Sequence, residues 1–180
     1  DSPAELRVHV RTVDGAPAVG ADVSARPVNS ADTLGLSDSR TTDGAGNALL
    51  GGLGSGDHRV FARLGDQIAV SGAVRVARDT SNSVELTLRR GGKLSIVVTD
   101  EDGAAALETP MRVVDASGFD WARTQVEWER DETAGSWTLG PLPPGAYSVS
   151  VHAATQGSAA ATVQVTAGGT ATAHLQLEVD

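Results

Sequence analysis

Leu6-Arg7-Val8-His9-Val10, followed by Asp14-Gly15, recurs in the second half of the chain as Leu94-Ser95-Ile96-Val97-Val98, followed by Asp102-Gly103. The two Asp-Gly pairs set an offset of 88 positions. Further on, Gly46 aligns with Gly135, Leu53 with Leu142, Gly56 with Gly145, Val60 with Val149, Val74 with Val163, Leu86 with Leu175 and Leu88 with Leu177, each at an offset of 89. Composition bias can imitate one such match but not an offset held along a whole module, and a repeat of this length decides how the chain is divided. The reading is two tandem modules, 1–90 and 91–180, joined at Arg90-Gly91-Gly92.

Within each copy the apolar residues recur every second position, the period of a strand with one dry and one wet face. Leu6, Val8 and Val10 share one face, while Arg7, His9 and Arg11 share the other. The alternation returns at Val84/Leu86/Leu88, Val149/Val151, Val163/Val165 and Leu175/Leu177/Val179. Turn signals separate these runs: Asp14-Gly15-Ala16-Pro17, Asp43-Gly44-Ala45-Gly46-Asn47, Gly65-Asp66, Asp102-Gly103, Pro143-Pro144-Gly145 and Gly168-Gly169. No stretch carries an amphipathic helix, and Ala104 to Glu108 is long enough for a turn only. Short strands broken this often, about seven per module, predict an all-β fold of two antiparallel Greek-key β-sandwiches.

Composition narrows the function classes. The 180 residues contain no cysteine, which removes disulfide scaffolds, thiolate zinc sites, iron–sulfur clusters and a cysteine nucleophile. No apolar run approaches the ~20 residues that span a bilayer as a helix, so membrane insertion is not expected. A net charge of −9 argues against nucleic acid and anionic membranes as partners, because both call for a basic face. The charge is uneven: residues 1–90 hold ten Arg/Lys against eleven Asp/Glu, and residues 91–180 hold four against twelve. Aromatic residues follow the same skew, with Phe61 alone in the first half and Phe119, Trp121, Trp128, Trp137 and Tyr147 in the second. Specific recognition is therefore expected in the second module.

The aligned motifs resemble the carboxypeptidase regulatory-like domain, of the transthyretin-like (prealbumin-like) β-sandwich superfamily. The resemblance rests on Pro17-Ala18-Val19-Gly20-Ala21-Asp22-Val23 after the first strand, on Thr42-Asp43-Gly44-Ala45-Gly46, and on Leu53-Gly54-Ser55-Gly56-Asp57-His58-Arg59-Val60, where His58 replaces the family tyrosine. In the second module it rests on Glu132-Thr133-Ala134-Gly135 and Leu142-Pro143-Pro144-Gly145-Ala146-Tyr147-Ser148-Val149, with Leu107-Glu108-Thr109 departing from the Val-Gly-Ala pattern. Such a resemblance implies a non-catalytic structural or binding module of a secreted or cell-surface bacterial protein. Absence of cysteine and a start at Asp1 without methionine, as if a leader or precursor had been removed, fit the same location.

Enzymatic readings are tested against residues. The superfamily includes 5-hydroxyisourate hydrolase, whose first-strand histidine His9 matches; its C-terminal Tyr-Arg-Gly-Ser does not, since the chain ends Leu175-Gln176-Leu177-Glu178-Val179-Asp180. His58, His152 and His174 are scattered, without metal-ligand spacing. There is no nucleophile elbow and no phosphate-cradling loop. The chain is expected to be no enzyme and to carry no cofactor. The metal candidate is calcium at Asp100, Glu101 and Asp102, a dense acidic turn lacking the spacing of a dedicated calcium loop. A Lys–Asn isopeptide crosslink is not expected, because Lys93 is the single lysine and the second module has no asparagine.

The leading ligand-binding candidate is Phe119-Asp120-Trp121, a glycine-led loop in which an exposed indole beside a carboxylate would stack on a sugar ring; its bland alternative is a hydrophobic plug over one end of the sandwich. Trp128, sharing a face with Val126, is expected in the core, and Trp137 alternates in the same way with Leu139. Partners are thus expected to be protein or glycan at the cell surface. The alternatives are a carbohydrate-binding accessory module and a subunit of an extracellular filament or surface assembly that self-associates through edge strands.

Overall fold

The computed structural model describes residues 4–28, 39–106, 111–124, 127–153 and 157–177. The chain divides into two compact units, Asp1–Arg89 and Arg90–Asp180. Both are built from strands, and among the described residues the one helical element is a single 3-10 turn, Trp121–Arg123.

In the first unit, β1 (Ala4–Arg11) lies between β4 (Asn47–Leu53) and β7 (Asn82–Thr87). A second sheet is ordered β3 (Arg40–Thr41), β2 (Asp22–Pro27), β5 (Gly56–Leu64), β6 (Gln67–Val76), with the two-residue β8 (Arg89–Arg90) after β6. The inward faces of the two sheets make the core. Leu6, Val8, Val10, Val23, Leu50, Val60, Leu86 and Leu88 are buried in one cluster; of the residues that the period-two reading named here, Leu6, Val8, Val10, Leu86 and Leu88 are buried and Val84 is partly buried against them. Arg7 and Glu5 on the other face of β1 are exposed, as the wet face requires.

The second unit repeats the pairing. There β9 (Gly92–Thr99) lies between β12 (Ser136–Leu142) and β15 (Thr170–Gln176), and β11 (Glu127–Asp131) adds a fourth strand beyond β12. The facing sheet is β10 (Met111–Asp115), β13 (Gly145–Ala153) and β14 (Gly157–Val165). Leu94, Ile96, Val98, Leu139, Leu142, Val149, Val151, Leu175 and Leu177 are buried.

Among the described residues the hairpin pairs β5/β6, β11/β12 and β13/β14 are antiparallel, whereas β1 runs parallel to β7, and β9 parallel to β15. Hairpins force neighbouring strands to reverse direction, whereas the first and last strands of a unit are separated by the whole intervening chain and are free to meet in parallel. The residues Leu107, Glu108 and Thr109, together with Gln125, Val126 and Val179, lie outside the described residues.

The motif residues have structural work. Thr42, buried, donates its hydroxyl to the Ala18 carbonyl and accepts from Ala21 N–H at 2.8 Å, tying the Pro17–Val23 segment to the hairpin that begins at Asp43. Gly46 has φ of +77°, and a Cβ built there would lie 2.4 Å from the Val10 carbonyl oxygen. Gly135 has φ of +64° and would meet Ala105 Cβ at 2.5 Å. Glycine is required at both by backbone conformation and close approach together.

Candidate functional site

Three hairpin turns share one design. In Asp43-Gly44-Ala45-Gly46-Asn47, Asp43 N–H donates to the Asn47 carbonyl and Gly46 N–H to the Asp43 carbonyl, each at 2.9 Å. The Asp43 carboxylate accepts from Ala45 N–H and Asn47 N–H, both at 2.9 Å. Asp100-Glu101-Asp102-Gly103-Ala104 and Asp115-Ala116-Ser117-Gly118-Phe119 make the same backbone pair and the same carboxylate bonds two and four residues on. An aspartate at the first position mimics a backbone acceptor and satisfies amides that the tight turn leaves unpaired. These bonds favour the ionised form, and the Asp43 carboxyl is held below its ordinary range by the amides of Asn47 and Ala45.

Asp115 does more than close its turn. One oxygen accepts from Ser117 N–H at 2.8 Å, the Ser117 hydroxyl at 2.6 Å and Phe119 N–H at 3.1 Å; the other accepts the Trp121 indole N–H at 2.9 Å. Partial burial acts to raise its pKa, but the bonds from Ser117, Trp121 and Phe119 outweigh that and hold the carboxyl below the usual range. Asp115 pairs across the sheet with Tyr147. The Tyr147 ring is buried, its hydroxyl donates to the Pro143 carbonyl at 2.6 Å, and burial plus the Asp115 charge push its pKa well above the ordinary phenol value. In the first unit His58 stands in the tyrosine position, also buried, with Nδ1 3.2 Å from the Gly56 carbonyl oxygen.

The Phe119-Asp120-Trp121 loop is therefore an internal structure. Trp121 is only 1% exposed and its ring sits edge-on to Phe119 at 5.3 Å. Asp120 accepts from Val113 N–H and Ala122 N–H, both at 3.1 Å, capping the 3-10 turn, and its second oxygen lies 3.4 Å from Arg112 Nε. The Thr124 hydroxyl donates to the Trp121 carbonyl at 2.8 Å and closes that turn. The expectation of an exposed indole beside a free carboxylate is corrected: the indole has no face open to a sugar and both Asp120 oxygens are engaged. The physical reason is the acceptor at Asp115, which lets the polar N–H of a large ring enter the core without losing its hydrogen bond.

Trp128 departs from expectation in the opposite direction. It is half-buried, because β11 is the outermost strand of a four-stranded sheet that faces one of three. Its ring meets that of half-buried Trp137 edge-on at 6.0 Å, and the Arg130 guanidinium lies over Trp137 at 5.2 Å. An inward-facing arginine on an edge strand disfavours a further strand there.

In the acidic turn at Asp100, Glu101 and Asp102, one Asp100 oxygen accepts from the amides of Asp102 and Ala104 and so serves the turn itself. Among the described residues no three His, Asp or Glu side chains are grouped as metal ligands. His9 is on the outer face of β1, with Nδ1 3.0 Å from Asn47 Oδ1. Sequence reasoning overlooked Asp115 as the centre of the aromatic cluster. The signal was the Asp-x-x-Gly spacing, shared by Asp43, Asp100 and Asp115.

No family model and no curated protein matches the chain. Solved structures with a similar course of chain include the TIE protein of Bacillus anthracis, 18% identical, TM-score 0.40, covering 98% of this chain and 34% of that one. Others are a streptococcal ancillary pilin, 12% identical, TM-score 0.40, covering 99% and 63%, and GBS52, the minor pilin of Streptococcus agalactiae, 14% identical, TM-score 0.40, covering 98% and 96%. This chain thus spans about a third of the first and under two thirds of the second. Similarity at this level does not extend to function.

Proposed function

We propose that the chain is a non-catalytic structural segment of a secreted or cell-surface bacterial protein, made of two copies of one transthyretin-like module of the carboxypeptidase regulatory-like kind. One observation carries the reading: the polar side chains most able to do chemistry are engaged in holding backbone turns. Asp43, Asp100, Asp115 and Asp120 accept backbone amides, Thr42 bridges two loops, and Tyr147 binds a carbonyl four residues upstream. A catalytic acid or base has to be free to bind a substrate proton; these groups stiffen hairpins instead, which suits a spacer. Antibodies raised against the chain test the location: labelling of intact source cells is expected, and labelling only after permeabilisation overturns it.

A second reading, self-association through a sheet edge, is favoured by the contrast between the two units. The outer edge of β12 is covered by β11, which carries Glu127, Glu129, Arg130 and Asp131. The equivalent β4 is an edge strand among the described residues, Asn47-Ala48-Leu49-Leu50-Gly51-Gly52-Leu53. It carries no charge and no proline, and Leu49 is 47% exposed. Uncharged edges of this kind invite a further strand. Light scattering over a concentration series reads the outcome: association that Leu49→Lys abolishes supports this reading, and a monomer at all concentrations removes it.

A further inference from the structure

The geometry points to a load-bearing function: each unit is a shear clamp in which tension applied through the chain is carried by its first and last strands. In the first unit β1 and β7 are parallel neighbours in unbroken register, from Leu6 opposite Asn82 to Arg11 opposite Thr87. In the second, β9 and β15 run from Lys93 opposite Thr170 to Thr99 opposite Gln176. Tension entering at the start of the first strand and leaving at the end of the last pulls two parallel strands in opposite directions along their own axes. All the ladder hydrogen bonds then resist together. An antiparallel terminal pair loaded in the same way would be peeled open one bond at a time.

Several contacts reinforce this pair. The ladder is extended past the strand ends by Leu88 N–H to the Arg11 carbonyl and Leu177 N–H to the Thr99 carbonyl, each at 2.8 Å. Side chains cross between the same strands: the Asn82 amide donates to the Glu5 carbonyl at 3.0 Å, and Arg11 pairs with Glu85 at 2.7 Å. In the second unit the Gln176 amide donates to the Glu101 carbonyl, in the turn following β9, at 3.2 Å. The inward side chains of the clamp strands, Leu6, Val8 and Val10 in one unit and Leu94, Ile96 and Val98 in the other, are at most 1% exposed, so sliding the strands also drags core residues out of their sites. The chain passes from β7 through the two-residue β8 into β9, which places the two clamps in series along the polypeptide.

Single-molecule pulling on the full chain tests this, and the absence of native cysteine lets attachment points be chosen by substitution. Pulled from its ends, the chain is expected to unfold in two events. Each releases roughly 270 Å, since the 82 residues from Leu6 to Thr87 extend to about 290 Å at ~3.5 Å per residue and the folded pair spans only ~17 Å. The decisive comparison is directional. A handle at the N-terminus with one at Arg89→Cys shears β1 against β7, whereas handles at Asp14→Cys and Arg89→Cys pull both strands from the same end and peel them. With six paired positions sharing the load in one direction and one in the other, each bond being worth about 1 kcal/mol net, the peeling force should be less than about half the shearing force. Urea midpoints of the two doubly labelled proteins should agree, which assigns the difference to direction. Equal forces in the two directions would overturn the clamp. That result would leave the surface location untouched, because antibody labelling reads residence and the force ratio reads strand geometry.

Discussion

Replacing Asp115 by alanine should unfold the second unit far more readily than the same replacement in an otherwise similar turn. Asp115 accepts four hydrogen bonds, and one of its donors, the Trp121 indole N–H, belongs to a residue that is 1% exposed. After Asp115→Ala that N–H has no acceptor in place and little access to water, a penalty of about 1–3 kcal/mol. Loss of the amide acceptor for Ser117 and Phe119 adds about 1 kcal/mol, because those groups are partly reached by solvent. The sum, roughly 2–4 kcal/mol, corresponds to a fall in melting temperature on the order of 10–20 °C for a unit of this size. Asp100→Ala is the matched control: the same turn, the same two amide bonds, both exposed, and no buried donor. It should cost no more than about 1 kcal/mol. Urea unfolding followed by circular dichroism, with the transitions of the two units resolved, measures both. If Asp115→Ala proves no more destabilising than Asp100→Ala, the indole bond does not anchor Trp121 and the assignment of this loop as an internal plug is wrong.

Other expectations are briefer. Gly46→Ala should destabilise the first unit by several kcal/mol, combining left-handed strain of about 1–2 kcal/mol with a clash against the Val10 carbonyl, whereas Gly20→Ala, at a similar φ of +78° with nothing within 4 Å, should show the strain alone. Thr42→Val keeps the shape of a buried side chain but leaves the Ala21 amide and Ala18 carbonyl without their hydroxyl partner, and should cost about 1–3 kcal/mol by thermal or urea melts. The depressed carboxyls of Asp43 and Asp115 contribute stability that is present above the unfolded value near ~3.9 and is lost as pH falls through their lower folded values. Melting temperature should therefore drop on acidification below about pH 4, less steeply in Asp115→Asn. Tyr147 has the opposite sign: its raised pKa gives stability below the ordinary phenol value of about 10 that is lost above it, and Tyr147→Phe should flatten the alkaline limb.

Strand positions were legible because a half-buried strand writes its burial into alternate residues. Leu6, Val8 and Val10 are buried, and Arg7 between them is exposed, as that pattern demands. The turns were legible because glycine at positive φ leaves a mark no other residue makes so readily, as at Gly46 and Gly135. The environments of the aromatic residues were not. Alternation assigns a face but does not say whether another layer covers it, so Trp128, at the end of an overhanging sheet, is half-buried where the core was expected. Position in a loop does not reveal an acceptor held across it, so Trp121 is buried where exposure was expected.

By itself, then, the amino-acid sequence determined the all-β architecture, the strand faces and the hairpins, because these depend on residues within a few positions of one another. Only tertiary structure decided that the first and last strands of each unit meet in parallel and that Asp115 reaches the Trp121 indole. It also decided that β12 is covered by a neighbouring strand while β4 forms an edge among the described residues. Each of these depends on where distant segments come to rest, and that is settled by the packing of the whole unit.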